Sequence, residues 1–369
     1  MKVIKILFSS DYGMLGALLG LCALFSIITY EEQQPVGAEG ANRLLPELEN
    51  LTVLDKSVVI AGKGGDEGKI FADSLQALLE ERGWQVKKVV KGGPPELGRG
   101  LRDAFAGNAR VSVLACEQSF ANLPVLENLK KSIPGMRDMQ VVYPKSYKWP
   151  NFLKASNLLN VANQIAVIAI IAIGMTLVII TAGIDLSVGS LIAFSAVLAT
   201  WIIREWMGAG DATAMGMVAG CILAMLACAG LGLFSGTMVA VFGVPPFVTS
   251  LGMMMVASGL AYLLSGGLSI YQLPPSFDWL GRGDHLLGIP NAVVLMVILY
   301  LLAHMLMSRT VVGRQVYAVG GNPEAARLSG VPVKKILLWV YAGSGALAGL
   351  GGIVMASQFI SGDPKYGLM

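Results

Sequence analysis

A chain of 369 residues that is 54% hydrophobic and only 14% charged departs from a soluble protein, in which about a quarter of residues carry charge, and reads as a membrane protein. Its net charge of +3, with no basic run interleaved with aromatics, excludes a nucleic-acid surface. The charges are uneven: residues 31–156 hold 33 of the 51 Lys, Arg, Asp and Glu, so a segment of soluble character is set between apolar ones.

The first apolar run, Leu15–Tyr30, follows Lys2 and Lys5. Two readings of it stand: a first spanning helix, or a signal peptide with a weak cleavage site at Val36–Ala38. Both leave residues 31–156 outside the cytoplasm. The stretch "VVIAGKGGDEGKI", Val58–Ile70, has the look of a phosphate-cradling turn. That turn needs a glycine, four residues and then Gly-Lys-Ser/Thr, because backbone N–H groups surround the phosphates while a hydroxyl reaches the metal. Here Ile70 follows Gly68-Lys69 and Lys63 stands where the first glycine belongs, so a strand-to-helix turn is expected and no nucleotide site.

After "SVVIAG" the segment continues with an amphipathic run Glu67–Arg82, "WQVKKVV", a helical run Pro95–Phe105, "RVSVLAC", a helix over Ala121–Ser132, and "MQVVYP". Strands alternating with helices predict a small parallel sheet of four strands covered on both faces, Rossmann-like or flavodoxin-like. Ligands of such sheets sit beyond the carboxyl ends of the strands, here Gly62–Asp66, Gly92–Pro94 and Cys116–Ser119. A structural appendage is the competing reading.

Six further runs reach the length of about 20 apolar residues that a spanning helix needs: Val161–Ala182, Leu186–Ile203, Ala214–Phe242, Phe247–Leu264, Ile289–Ser308 and Ile336–Ser357. With the first run they predict a mainly α, polytopic membrane helix bundle of about seven spans carrying the small α/β parallel-sheet domain as an insert. Cationic flanks stay cytoplasmic. Arg309–Lys335 carries Arg309, Arg314, Arg327, Lys334 and Lys335 against Glu324, and alternation from Lys2 and Lys5 puts it on the same side. Glycines one turn apart, Gly216 and Gly220, Gly232 and Gly236, Gly345 and Gly349, predict helices in close backbone contact. The four cysteines, Cys22, Cys116, Cys221 and Cys228, lack CxxC spacing, and His285 and His304 stand far apart. The cysteines are read as small core residues, and with the histidines lacking metal-ligand spacing no metal and no cofactor are expected.

Two interruptions point to a translocation path. "GIDLSVGS" (Gly183–Ser190) sets Asp185 between apolar runs, and "GVPPFVTSLGM" (Gly243–Met253) sets two prolines between two more. A carboxylate at membrane depth is expensive, and irregular backbone survives there only where protein or a water-filled cavity covers it. The pathway candidates are Asp185, Ser187, Ser190, Pro245, Pro246 and Thr249. The alternative is a pair of ordinary loops at the membrane face, with Asp185 capping Val188 or Gly189.

Within the cytoplasmic loop, "GGNPEAARLSGVPVKK" predicts one short helix: Asn322 caps, Pro323 takes the first helical position, Glu324 lies in the first turn and Gly330 stops it. Ala325 and Ala326 give it a small apolar face suited to a partner's groove; a solvated connector is the plainer alternative.

On these residues the chain resembles a known family. Glu324-Ala325-Ala326-x-x-x-Gly330 is similar to the coupling loop of ABC importer permeases, and "IAIGMTLVIITAGIDLSVGSLIAFSAV", "VPPFVTSLGMM" and "VGRQVYAVGGNPEAARLSGVPV" resemble the ribose/xylose/galactoside branch of sugar-importer permeases, nearly continuously over Asn157–Gly362. The resemblance implies a monosaccharide permease subunit in the bacterial plasma (inner) membrane without catalytic residues of its own. It implies a cytoplasmic ABC ATPase docking at Glu324, Ala325, Ala326, Arg327 and Gly330, an extracytoplasmic sugar-binding protein, and a second permease chain as partners, with lipid around them. The expected domains are residues 1–30 as first transmembrane helix, 31–156 as extracytoplasmic α/β insert, and 157–369 as permease core with coupling loop 309–335. Members of that branch pass from the first span to the core through a short connection and continue beyond "SGDPKYG" with further spans, so the insert departs from the pattern, and the truncated C-terminus is expected to mark a fragment, a split gene product or a chain that depends on a second one. The rival reading is a membrane-anchored extracytoplasmic sugar receptor. It would need one or two spans and a cytoplasmic signalling domain, and no expected cytoplasmic segment exceeds about 30 residues.

Overall fold

The computed structural model describes residues 13–51, 55–105, 111–121, 123–284 and 288–368; Lys2, Lys5, Arg110, His285 and Met369 lie outside them. The chain divides into two units, Met1–Lys154 and Ala155–Met369.

In the first unit, α1 (Gly13–Ile28) is apolar all round and carries exposed Leu15, Leu18, Leu24 and Phe25. It leads into β1 (Tyr30–Gln33), which pairs antiparallel with β6 (Tyr147–Pro150), Tyr30 opposite Pro150 and Gln33 opposite Tyr147. The backbone N–H of Asn151 donates to Thr29 O at 2.8 Å and tightens the junction. Between these strands run α2 (Gly37–Glu49), β2 (Ser57–Lys63), α3 (Asp66–Glu81), β3 (Gln85–Gly92), α4 (Pro94–Ala104), β4 (Val113–Cys116), α5 (Gln118–Ala121), α6 (Pro124–Ser132) and β5 (Gln140–Val142). The order across the sheet is β3-β2-β4-β5, every pair parallel.

β2 explains the layering. Its β-branched run is buried on both faces, as a central parallel strand requires, and successive side chains alternate. Val58 and Ile60 join Leu44, Leu48, Phe71, Leu75 and Leu79 of α2 and α3 on one face. Val59 and Ala61 join Leu97, Leu101, Leu126 and Leu129 of α4 and α6 on the other. Pro124 opens α6 at its first helical position, so the expected helix over Ala121–Ser132 is two pieces. Helix α2 was not expected from the sequence; Pro46 inside it hides a stripe at Ala41, Leu44 and Leu48 that the sheet selects.

The second unit is helical: α7 (Ala155–Ile180), α8 (Val188–Trp206), α9 (Ala214–Ala240), α10 (Pro246–Ser265), α11 (Asn291–Arg309), α12 (Val311–Gly321), α13 (Pro323–Leu328) and α14 (Val333–Phe359). Among the described residues six helices, α7 to α11 and α14, are long and apolar enough to cross a membrane, so this is a multi-pass membrane protein. The described part of the first apolar run, α1, has 16 residues, about 24 Å at 1.5 Å per residue, and is not counted with them. The count among the described residues is therefore six, and a seventh span at α1 is not shown.

α14 is the packing centre, touched by α7, α8 and α9. A methyl on Gly232 would collide with Tyr341 O, one on Gly345 with Cys228 O, and one on Gly352 with Ile192 O. These are backbone-to-backbone approaches that only glycine permits, and they supply the close packing on which helices in lipid depend. Gly220 approaches α8 less closely, a methyl there standing 3.1 Å from the Ile203 side chain.

Candidate functional site

The ends of α7, α9 and α11 meet α12, α13 and α14 in one apolar cluster built from Val178, Val239, Met307, Val316, Val319, Ala326, Ile336, Val340 and Tyr341. Two sharp contacts fold the connection onto the spans. Gly313 has Leu306 and Met307 carbonyls where a side chain would be, and Gly320 has Ile180 O. Thr310 Oγ1 accepts from the Gly313 N–H at 3.2 Å and starts α12, a helix not expected from the sequence because Gly313, Gly320 and Gly321 lower its propensity.

α13 begins as its residues dictate. Asn322 Oδ1 accepts from the Ala325 N–H at 3.0 Å, and Pro323 occupies the first helical position. Glu324 Oε2 accepts from Arg327 Nη2 at 2.8 Å and Nε at 3.2 Å. The helix stops at Gly330, with φ +83°, where the Val331 N–H returns to Ala326 O at 2.9 Å. Glu324, Ala325 and Arg327 are exposed, but Ala326 is only 5% exposed and belongs to the apolar cluster. The expected Ala325–Ala326 face is therefore split: Ala326 anchors the helix inward, and Leu328, 83% exposed, supplies the outward apolar surface. Leu328 was missed because burial of its neighbours is a tertiary fact.

Asp185 and Ser187 come together in the segment between α7 and α8. Asp185, 4% exposed, accepts at Oδ1 from the Ser187 N–H at 2.9 Å and the Ser187 hydroxyl at 2.6 Å, and at Oδ2 from the Ser344 hydroxyl at 3.5 Å. It closes a turn onto Ser187 and does not cap Val188 or Gly189. A methyl on Gly183 would stand 2.7 Å from Tyr341 Oη, a buried hydroxyl without a partner. Tyr341 and Ser344 lie three apart on α14, a spacing that shares one helix face; this was the signal for Asp185's partners. Residues 366–368 fold against the start of α8, with Gly367 O 2.7 Å from a methyl built on Gly189, and Ser190 is half-buried beside them.

The other pathway candidates sit apart from this turn. Pro245 is exposed and Pro246 takes the first position of α10, so the prolines start a helix and do not break one. Thr249 Oγ1 is buried without a partner. Asp185→Ala is expected to strand the Ser187 N–H and hydroxyl and the Ser344 hydroxyl, at about 1–3 kcal/mol for a buried donor left unpaired. Asp185→Asn, which keeps an acceptor, should cost less. Thermal unfolding of the two variants in detergent separates them, and equal losses would remove hydrogen bonding as the reason for the carboxylate.

In the first unit, residues Lys63–Gly68 and Glu117–Ser119 line one crevice, and Gly92–Pro94 do not; there Glu96 Oε2 accepts from the Gly93 N–H at 2.9 Å instead. Its own backbone N–H, the Gly93 N–H and Arg99, in that order, hold the Glu96 carboxyl below its usual range. Burial pushes the Cys116 thiol up to about 12, helped by the Glu117 charge, so it stays a protonated core residue at neutral pH. Among the described residues no three His, Cys, Asp or Glu side chains converge as metal ligands would.

The family described as "Branched-chain amino acid transport system / permease component" matches residues 157–369. Ribose import permease protein RbsC of Escherichia coli (strain K12) is 38% identical over 222 residues, 59% of this chain and 66% of that protein. The Bacillus subtilis (strain 168) protein of the same name is 36% identical over 220 residues, 59% and 66% of the two chains. The L-arabinose ABC transporter permease protein AraH of Azospirillum brasilense is 34% identical over 216 residues, 58% and 61%. The chain thus spans just under two thirds of the length of these relatives. No solved structure matches. The match over the whole second unit, carrying both the Asp185 turn and the Asn322–Gly330 helix, makes this chain a member of the branched-chain amino acid transport system / permease component family.

Proposed function

We propose that this chain is a permease subunit of an ABC importer that carries a monosaccharide into the bacterial cytoplasm, with ATP hydrolysed by a separate subunit docking on α13. The observation that carries the reading is the construction of α13. It offers Glu324, Arg327 and Leu328 outward while Ala326 is seated in the cluster that also holds Val178 and Tyr341. Force applied to α13 passes by direct packing to the Asp185 turn, which matches the rigid displacement of one element by another seen in transport switching. The names of the relatives, ribose and L-arabinose permeases, favour a pentose or a similar sugar.

In this reading α1 is a seventh span, and the first unit's α/β sheet is an extracytoplasmic insert over residues 31–156. Asp185, Ser187, Ser190, Pro245, Pro246 and Thr249 are retained as pathway candidates. An extracytoplasmic sugar-binding protein and a second permease chain complete the assembly in the plasma membrane.

A cysteine at Leu328 tests the reading, placed in a chain whose half-buried Cys22 and Cys221 are changed to Ala. Cross-linking in native membranes is expected to trap an ATP-binding subunit, identified by mass spectrometry. Labelling of Leu328→Cys by a membrane-impermeant maleimide added outside intact cells would put α13 on the wrong side and end the proposal.

A further inference from the structure

The sheet of the first unit changes winding direction at β2: its chain moves to β3 on one side, and β4 lies on the other. In open α/β sheets ligands collect at such a switch point, beyond the carboxyl ends of the two strands. There the structure has a crevice of about 340 Å³ lined by Gln34–Val36, Lys63–Gly68 and Glu117–Ser119, within the range of roughly 300–1,000 Å³ for small-molecule sites.

Its walls are fixed by close packing. A methyl on Gly62 would collide with Gly68 O and one on Gly68 with Lys63 O, so the turn is pressed against the start of α3. Gly65, with φ +117° and open space where a side chain would stand, faces no neighbour. No side chain caps α3, and its first helical bond is Lys69 N–H to Gly65 O at 3.2 Å, which leaves the preceding N–H groups as free donors. Opposite them, Glu117 is 6% exposed and spends only Oε2 on the Lys63 N–H at 2.9 Å. Gln118 Oε1 is buried without a partner.

The lining decides the ligand class. Three carboxylates, Asp66, Glu67 and Glu117, against one lysine, Lys63, repel a phosphate, while the free N–H donors oppose a cation. Donors and acceptors interleaved in one small site suit hydroxyl groups, each of which donates one hydrogen bond and accepts others. Pro35 and Val36 offer an apolar strip for the C–H face of a ring. We infer that this crevice is a binding site for a neutral polyhydroxylated molecule, a free monosaccharide, with Glu117 and Gln118 as its principal contacts. The choice of monosaccharide rests on the proposed import function; the site itself does not.

The test is calorimetric titration of the full chain in detergent with a panel of pentoses and hexoses, and separately with inorganic phosphate and ATP. Heat with at least one sugar is expected. Glu117→Gln and Gln118→Ala should each weaken it by about tenfold or more, the worth of a lost hydrogen bond to a charged or buried group. Ser119→Phe, built from an exposed position at the rim, should abolish binding without lowering the melting temperature. Gly343→Leu, in the other unit at a position with nothing within 4 Å of an added side chain, should leave it unchanged. No heat with any sugar, sugar heat insensitive to all three crevice variants, or phosphate or ATP binding that Ser119→Phe removes, overturns the inference. None of these results touches the Leu328 cross-link, so the two proposals fail separately.

Discussion

Glu324→Lys is expected to abolish co-purification of the ATPase subunit while leaving the chain folded. The fold tolerates the change because the Glu324 and Arg327 side chains are 73% and 68% exposed, and an exposed pair of this kind contributes about 0–1 kcal/mol. The helix start feels it more. Lysine in the first turn opposes the dipole where glutamate favoured it, about 0.3–1 kcal/mol in each direction, and faces Arg327 with like charge one turn away. A docked partner would meet a second cation where it expected a carboxylate, and like charges facing one another at an interface cost several kcal/mol. The measurement is the yield of ATPase on the purified permease, with a melting curve of the variant as control. Full recovery of ATPase on a folded Glu324→Lys chain would remove the proposed docking of an ATPase on α13.

A second large effect is expected from Gly345→Leu. A Cβ there would meet Cys228 O, and Gly232 Cα stands 3.2 Å from it. The obstacle is backbone, which cannot rotate away, so α9 and α14 must separate. Overpacking typically costs about 1–3 kcal/mol; here the loss should reach or exceed the upper end, because the same seam carries Gly232 against Tyr341 O and Gly349 against Cys228. Gly343→Leu is the matched control, two residues away on α14 with nothing within 4 Å. The first variant should elute aggregated or melt well below the parent in detergent, and the second should behave as the parent does. Equal melting of the two would show that the glycine seam does not set the packing of α14.

The contrast between Gly345 and Gly343 also marks what was legible in the sequence. Apolar runs of spanning length, the Gly232 and Gly345 repeats, and the Asn322-Pro323-Glu324 helix start were readable because each rests on composition or on bonds within one turn. What was not readable depends on distant residues. Ala326 turns inward only because Val178, Val316 and Tyr341 wait there. The partner of Asp185 on α14 lies 159 positions away. Helix α2 is selected by a sheet face that Pro46 gives no hint of. The pairing of Lys63–Asp66 with Glu117–Ser119 in one crevice followed from strand order, and strand order is a tertiary property.

β1 and β6 have one more consequence. Thr29 and Asn151 are hydrogen-bonded neighbours although 122 positions separate them, so the backbone departs and returns through a single two-stranded doorway. Whatever lies beyond that doorway is free to lengthen, shrink or be exchanged during evolution while α1, β6 and the short turn at residues 151–153 keep their mutual alignment. An elaboration of that kind grows outward like a graft on a stem and leaves the stem's own course unaltered.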